Sequence, residues 1–292
     1  MELKKQISNQ LHKNRPNLST GSSKTYTSLL FNLQKKLNKK ENDMNWYGES
    51  EDDILKSLQD TNIVTKKTIL SAYVVLEKKE TSQKLMMASA KIVNDQYTEN
   101  KKSLKQEKNW ITAKEVIETY EQYKNAKDAI VKKKVINESE LMLLRDYMLL
   151  CFYVLNEPRR SLDLAEMKIN KISKKGNYID KNEYVINVYK TAKFRGQDRI
   201  TIDPEALKFI KIWKSKYNPT DYLVFNNKKE QMTSSQITRA LNSIFDKKVS
   251  VNMLRHIFLS AKFKNMPSVK ELKDTANKMG HSVSTMLEYI KE

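Results

Sequence analysis

Residues 137–164 read NESELMLLRDYMLLCFYVLNEPRRSLDL, and this stretch decides the fold. Asn137 with Glu140 three residues later forms a capping-box pattern, which starts a helix over Ser139–Leu155. That helix is apolar nearly all round, so it belongs at the centre of a core rather than on a surface. Just beyond its end come Pro158 and two arginines, Arg159 and Arg160. Guanidinium groups at the end of a core helix are costly unless an anion meets them. Their forked donors match two phosphate oxygens. The competing reading is a solvated helix end with a salt bridge to Asp163. Cys151 is the only cysteine; inside the apolar run it reads as a small buried hydrophobe, and no internal disulfide can form.

Working outward, Thr112-Ala113-Lys114-Glu115 is a second capping pattern and opens a domain spanning 112–292. The lysine-rich run ENKKSLKQEK (99–108) makes 100–111 an interdomain linker. Before it, 21–99 reads as a small helical bundle: Tyr26, Leu29, Leu30, Leu33 and Leu37 mark one buried face, and helices follow over Ile63–Lys79 and Ser82–Tyr97. Residues 1–20 are polar and are expected to form a flexible N-terminal segment. Beyond the central helix, YVINVY (184–189) and RITI (199–202) read as strands of a hairpin around KTAKFRGQD. Helices resume over Pro204–Tyr217, Ser234–Phe245, Val251–Phe263, Val269–Met279 and Ser282–Ile290. The class is mainly α with a small antiparallel β-sheet.

Of the 292 residues 39% are hydrophobic and 30% charged, enough for two folded domains, and the formal net charge is +19. Such an excess favours a polyanionic partner. No apolar run is long enough for a bilayer and the N-terminus lacks a signal-peptide core, so a soluble, intracellular protein is expected. Histidine occurs only at 12, 256 and 281, without ligands in metal spacing, and five glycines build no phosphate loop. No metal and no cofactor is expected.

Three further groups join Arg159–Arg160. Lys190, with Lys193 and Arg195, lies at a strand end, where a lysine can deliver a proton to a leaving oxygen. Asn252 and Arg255 share one helical face, next to His256. Gly280-His281 precedes a last helix carrying Tyr289, eight residues after the histidine. Each taken alone has an ordinary structural explanation, as a solvated end, a packing residue or an ion pair. Their joint order is harder to explain as packing.

That order resembles the tyrosine recombinase (phage-integrase-like) family: an arginine with Asp or Glu three residues on, a hairpin lysine, His-x-x-Arg, Gly-His and a tyrosine near the C-terminus. Arg160 with Asp163 fits the first element, though adjacent Arg159 leaves a one-residue ambiguity. Lys190 fits the lysine, with Lys193 as the alternative; Arg255, His281 and Tyr289 fit the rest. The resemblance covers roughly 112–292, and the helical first hundred residues are similar to the family's core-binding domain in size and character only. Asn252 stands where a histidine is usual, the step from His281 to Tyr289 is one residue short, and only three residues follow Tyr289. An asparagine can orient an oxygen but cannot act as a base.

The resemblance implies that Tyr289 attacks a DNA phosphorus and forms a 3′-phosphotyrosine. Arg160 and Arg255 would stabilise the phosphorane, Lys190 would protonate the 5′-oxygen, and His281 and Asn252 would assist. Arg159, Lys193, Arg195 and His256 are the DNA-contacting candidates. It further implies double-stranded DNA at specific sites as partner, a homo-oligomer (a tetramer on paired sites) and an origin in a virus or mobile element. A type IB topoisomerase shares this chemistry, and a catalytically weakened DNA-binding protein would share the fold.

Overall fold

The fold is that of a computed structural model, which describes residues 2–39, 44–98, 102–264, 267–278 and 282–284. The chain forms two compact units, residues 1–101 with 267–292 and residues 102–266.

The first unit is helical: α1 (Glu2–Asn14), α2 (Thr20–Lys36), α3 (Trp46–Glu49), α4 (Glu51–Ser57), α5 (Ile63–Glu77) and α6 (Glu80–Thr98). The flexible segment expected at 1–20 is instead largely helix α1. Leu3, Ile7 and Leu11 recur every four residues and are buried, so they form one stripe that the intervening lysines hide from a reading by average polarity. The Asn14 amide donates to the carbonyls of Val75 (2.9 Å) and Leu76 (2.7 Å). It thereby satisfies acceptors that the end of α5 leaves open. Buried tyrosines tie the interior together: the Tyr73 hydroxyl donates to the Tyr47 carbonyl at 2.6 Å, and the Tyr47 hydroxyl to that of Leu30 at 3.0 Å.

The second unit starts with α7 (Leu104–Asn109), inside the stretch read as linker, and continues with α8 (Ala113–Ile130), α9 (Glu138–Val154) and α10 (Ser161–Ala165). The capping boxes at Thr112 and Asn137 form as the sequence predicts. Helix α9 is buried from Tyr147 to Tyr153. It is not wholly apolar, however. Arg145 is buried too, held by Asp146 at 2.6 Å and by the Phe225 carbonyl at 3.3 Å. An ion pair inside a core helix needs such full hydrogen bonding to be tolerated.

Strands β1 (Met167–Lys168), β2 (Asn177–Asp180), β3 (Glu183–Ile186) and β4 (Asp198–Thr201) lie side by side in that order, with the short helix α11 (Ala192–Arg195) between β3 and β4. The β2–β3 and β3–β4 pairs are antiparallel, but β1 runs parallel to β2, so the expected antiparallel sheet is mixed. The strand expected to reach Tyr189 stops at Ile186. Beyond it the side-chain Oδ1 of the buried Asn177 accepts from the backbone N–H groups of Asn187 (2.8 Å) and Val188 (2.7 Å), taking the place of a ladder partner.

Helix α12 (Pro204–Ile212) runs into a π-helical turn over Trp213–Tyr217. Helices α13 (Ser234–Phe245) and α14 (Val251–Lys262) follow. Trp213 is fully buried, stacked parallel to Phe225 at 5.7 Å, and its indole N–H donates to the Leu223 carbonyl. The last helix described, α15 (Val269–Lys278), belongs to the first unit. Among the described residues no helix is long and apolar enough to cross a membrane.

Candidate active site

The two adjacent arginines have different surroundings. Arg159 Nε donates to Asp163 Oδ2 at 2.9 Å and Nη1 to Asp198 Oδ2 at 2.6 Å, and its guanidinium lies 5.6 Å from the Tyr189 ring centre. It is a structural clamp between α10 and β4. Burial opposes its charge, but the two carboxylates outweigh burial and raise its pKa. Asp163 is almost completely buried, and its Oδ1 has no hydrogen-bond partner among the described residues. Burial therefore raises its pKa despite the Arg159 hydrogen bond and charge. Arg160 is the N-cap residue of α10, half-buried, and no hydrogen bond or ion pair engages its side chain among the described residues. Its charge still acts on Asp163 from beyond hydrogen-bond reach.

Lys190 follows directly from this clamp. Tyr189 lies under Arg159, and its hydroxyl donates to the Gly196 carbonyl at 2.9 Å, closing the loop that bears Lys190, Lys193 and Arg195. All three cations are exposed. The carboxylates at the loop's base are already taken: Asp180 and Glu183 by Arg199 (3.3 and 2.6 Å), Asp198 by Arg159. Asn177 also belongs to this arrangement, though the sequence reading passed over it. Its amide donates to the carbonyls of Asp163 and Val188, both at 3.0 Å, and so couples α10 to the approach to Lys190. The usable signal was an asparagine opening a strand, a position that strands disfavour.

On the other side lies α14. Ser250 caps it by accepting from Met253 N, while Val251, Met253, Leu254 and Ile257 are buried. This burial fixes the opposite face: Asn252 and His256 are exposed and Arg255 is half-buried. Leu254 and Ile257 line, with Pro158 and Tyr153, an apolar groove of about 240 Å³. The groove brings the Arg255 helix beside the segment that ends in Arg160. Lys262 reinforces the junction by donating to Glu157 at 3.3 Å. The structure thus gathers the segments of Arg160, Lys190 and Arg255. His281 and Tyr289 lie outside the described residues.

The site is cationic, and no group of three or more His, Cys, Asp or Glu among the described residues could hold a metal ion. Its half-buried guanidiniums and exposed lysine can bind and neutralise an anion with several oxygens.

A scan of protein-family models and a search of curated proteins find no match to this chain. Solved structures do show similarity. A crystal structure of XerA recombinase is 15% identical, with 99% of this chain and 94% of that chain covered and a TM-score of 0.35. A lambda integrase (75–356) dimer bound to a COC′ core site is 14% identical, with coverages of 94% and 92% and a TM-score of 0.49. XerH site-specific recombinase bound to a difH substrate is 15% identical, with coverages of 98% and 91% and a TM-score of 0.36. These superpositions span nearly the whole chain but are loose, with TM-scores below 0.5.

Proposed function

We propose that this chain is a tyrosine recombinase that cleaves and rejoins double-stranded DNA at specific sites through a covalent 3′-phosphotyrosine at Tyr289. One observation carries the reading. Arg160, Lys190 and Arg255 make no ion pair or side-chain hydrogen bond with a carboxylate among the described residues, while the neighbouring Arg159 and Arg199 bond directly to Asp163, Asp198, Asp180 and Glu183. A site that must accept a phosphodiester needs unneutralised cations on a rigid frame.

In the mechanism the Tyr289 oxygen bonds to phosphorus while the bond from phosphorus to the 5′-oxygen breaks. Arg160 and Arg255 stabilise the charge of the phosphorane; each such contact is typically worth roughly 3–4 kcal/mol. Lys190 delivers the proton that the 5′-oxygen acquires, and His281 accepts or relays the phenolic proton. Asn252, exposed on the first turn of α14, orients an oxygen but moves no proton. Reversal by a 5′-hydroxyl rejoins the strand without ATP, because the phosphotyrosine keeps the energy of the original ester. Two cleaved duplexes exchange ends when copies of the chain assemble on paired sites.

The test uses Tyr289→Phe with nicked suicide DNA. The parent is expected to form a covalent complex that survives SDS and is destroyed by protease, and the variant none. A covalent complex formed equally by the variant would remove Tyr289 as the nucleophile.

A further inference from the structure

The hairpin that carries Lys190 presents a second feature. Phe194 is 90% exposed, the most exposed large apolar side chain among the described residues. Its setting is the opposite of a floppy tip. Within the loop the N–H groups of Phe194 and Arg195 donate to the Thr191 carbonyl (3.0 and 3.2 Å) and that of Gly196 to Ala192 (2.9 Å). The Tyr189 hydroxyl and the Gln197 amide close it from both sides, on the carbonyl of Gly196 and on the side chain of Asn187 (2.9 Å each). Gly196 has φ 71° and ψ −153°, a conformation that only glycine adopts without strain. Ala192 packs on the core, and Phe194, two residues on, is about 200° round the same helical turn. The anchoring of Ala192 therefore holds the phenyl ring outward.

Leaving such a ring in water forgoes roughly 1.5–3 kcal/mol of burial. Its neighbours say what would cover it. Lys190, Lys193 and Arg195 surround it, all exposed and without ion-pair partners among the described residues. An apolar protein surface would have to desolvate those cations; a polyanion would not. Apolar wedges flanked by cations are how proteins enter a DNA groove and open a base step, the phosphates meeting the cations and the unstacked bases meeting the wedge. We propose that Phe194 is such a wedge, entering the minor groove of duplex DNA beside the phosphate that Lys190 serves. It would select sequences by how readily a base step unstacks, so pyrimidine–purine steps such as TA are favoured over stiff A-tracts. This rests on the DNA reading above, and the following experiment separates the two.

The full-length chain is titrated against 30-base-pair duplexes carrying 2-aminopurine at a central TA step or within an A-tract, at several salt concentrations. The parent is expected to bind with a steep salt dependence and to raise the 2-aminopurine fluorescence at the TA step only. Phe194→Ala, whose truncated ring touches no core, keeps the salt slope but loses the fluorescence rise and on the order of tenfold in affinity. Phe194→Trp retains the fluorescence rise. If the parent binds duplex and Phe194→Ala raises the fluorescence equally, the wedge is wrong while DNA binding stands. If the parent shows no salt-dependent duplex binding, the DNA reading falls and the wedge with it.

Discussion

Replacing Arg159 with alanine tests whether the arginine next to the proposed catalytic one is structural. The variant takes from the Asp163 carboxylate, 1% exposed, its hydrogen-bonded counter-charge and leaves only the more distant charge and backbone N–H contact of the Arg160 side, and it frees Asp198, which at 37% exposure is easily rehydrated. Breaking a buried pair by removing one partner costs about 3–5 kcal/mol, whereas the exposed half adds at most about 1 kcal/mol. Protonation limits the penalty. An aspartate with an unfolded pKa near 3.9 can be held neutral at pH 7 for about 4 kcal/mol, at about 1.36 kcal/mol per unit. The expected loss at pH 7 is therefore about 3–4 kcal/mol. Its pH dependence follows from the raised folded pKa of Asp163, which rises further in the variant. The folded state then holds the proton more tightly than the unfolded one. The penalty is absent below the unfolded pKa and grows as pH rises towards the folded pKa. By pH 5 it falls to about 1–2 kcal/mol. Urea denaturation followed by tryptophan fluorescence in a Trp46→Phe background reads only Trp110 and Trp213, both in the second unit. Arg160→Ala is expected to change stability by less than about 1 kcal/mol, and adding Asp163→Asn to Arg159→Ala to recover at least half the loss at pH 7. An equal loss at pH 5 and pH 7, or a larger loss for Arg160→Ala, would refute the assignment.

Asn177→Ala removes four hydrogen bonds from a site that is 1% exposed, and urea denaturation should register a loss of about 3 kcal/mol. Because the same bonds place the approach to Lys190, cleavage of ordinary DNA should also slow, measured where the variant is still folded. A rate equal to the parent's would leave Asn177 a purely structural role. Lys190→Ala, exposed and without a partner among the described residues, should keep its stability and lose cleavage of normal DNA. A substrate with a 5′-bridging phosphorothiolate, whose leaving group needs no proton, should be cleaved nearly as fast as by the parent. Equal loss on both substrates would exclude Lys190 as the acid.

The elements most legible in the sequence are those whose signal is local. The capping boxes at Thr112 and Asn137 need only residues three apart, and the apolar length of α9 announces its burial. The strand pair β3 and β4 follows from β-branched and aromatic residues around a glycine-containing loop. Less legible were features fixed by partners distant in sequence. Helix α1 shows only three apolar positions among lysines and polar residues, and its burial depends on α2 and α5. The end of β3 is set by Asn177, nine residues before Ile186, through bonds that no local pattern announces. Arg159 and Arg160 are chemically identical, and what separates them is Asp198, nearly forty residues later, brought into reach by the hairpin. Asp163 made the arginine pair conspicuous, but it could not say which member it would hold.

On the proposed function, that division between adjacent arginines answers a conflict built into any site for a phosphodiester. Cations gathered to meet an anion repel one another in its absence, and a carboxylate placed among them to relieve the repulsion would compete with the phosphate. Here carboxylates are present, but each is held by a residue of the frame: Asp163 and Asp198 by Arg159, Asp180 and Glu183 by Arg199. Those pairs stiffen α10 and the hairpin from which Arg160 and Lys190 project. They also withdraw the local negative charge from the surface where these two residues emerge. Neutral hydrogen bonds from Asn177, Tyr189 and Gln197 supply the remaining rigidity without adding charge of either sign. The frame thus rests on ion pairs and amides, and the surface left to meet a ligand carries net positive charge, half-buried at Arg160 and Arg255 and exposed at Lys190.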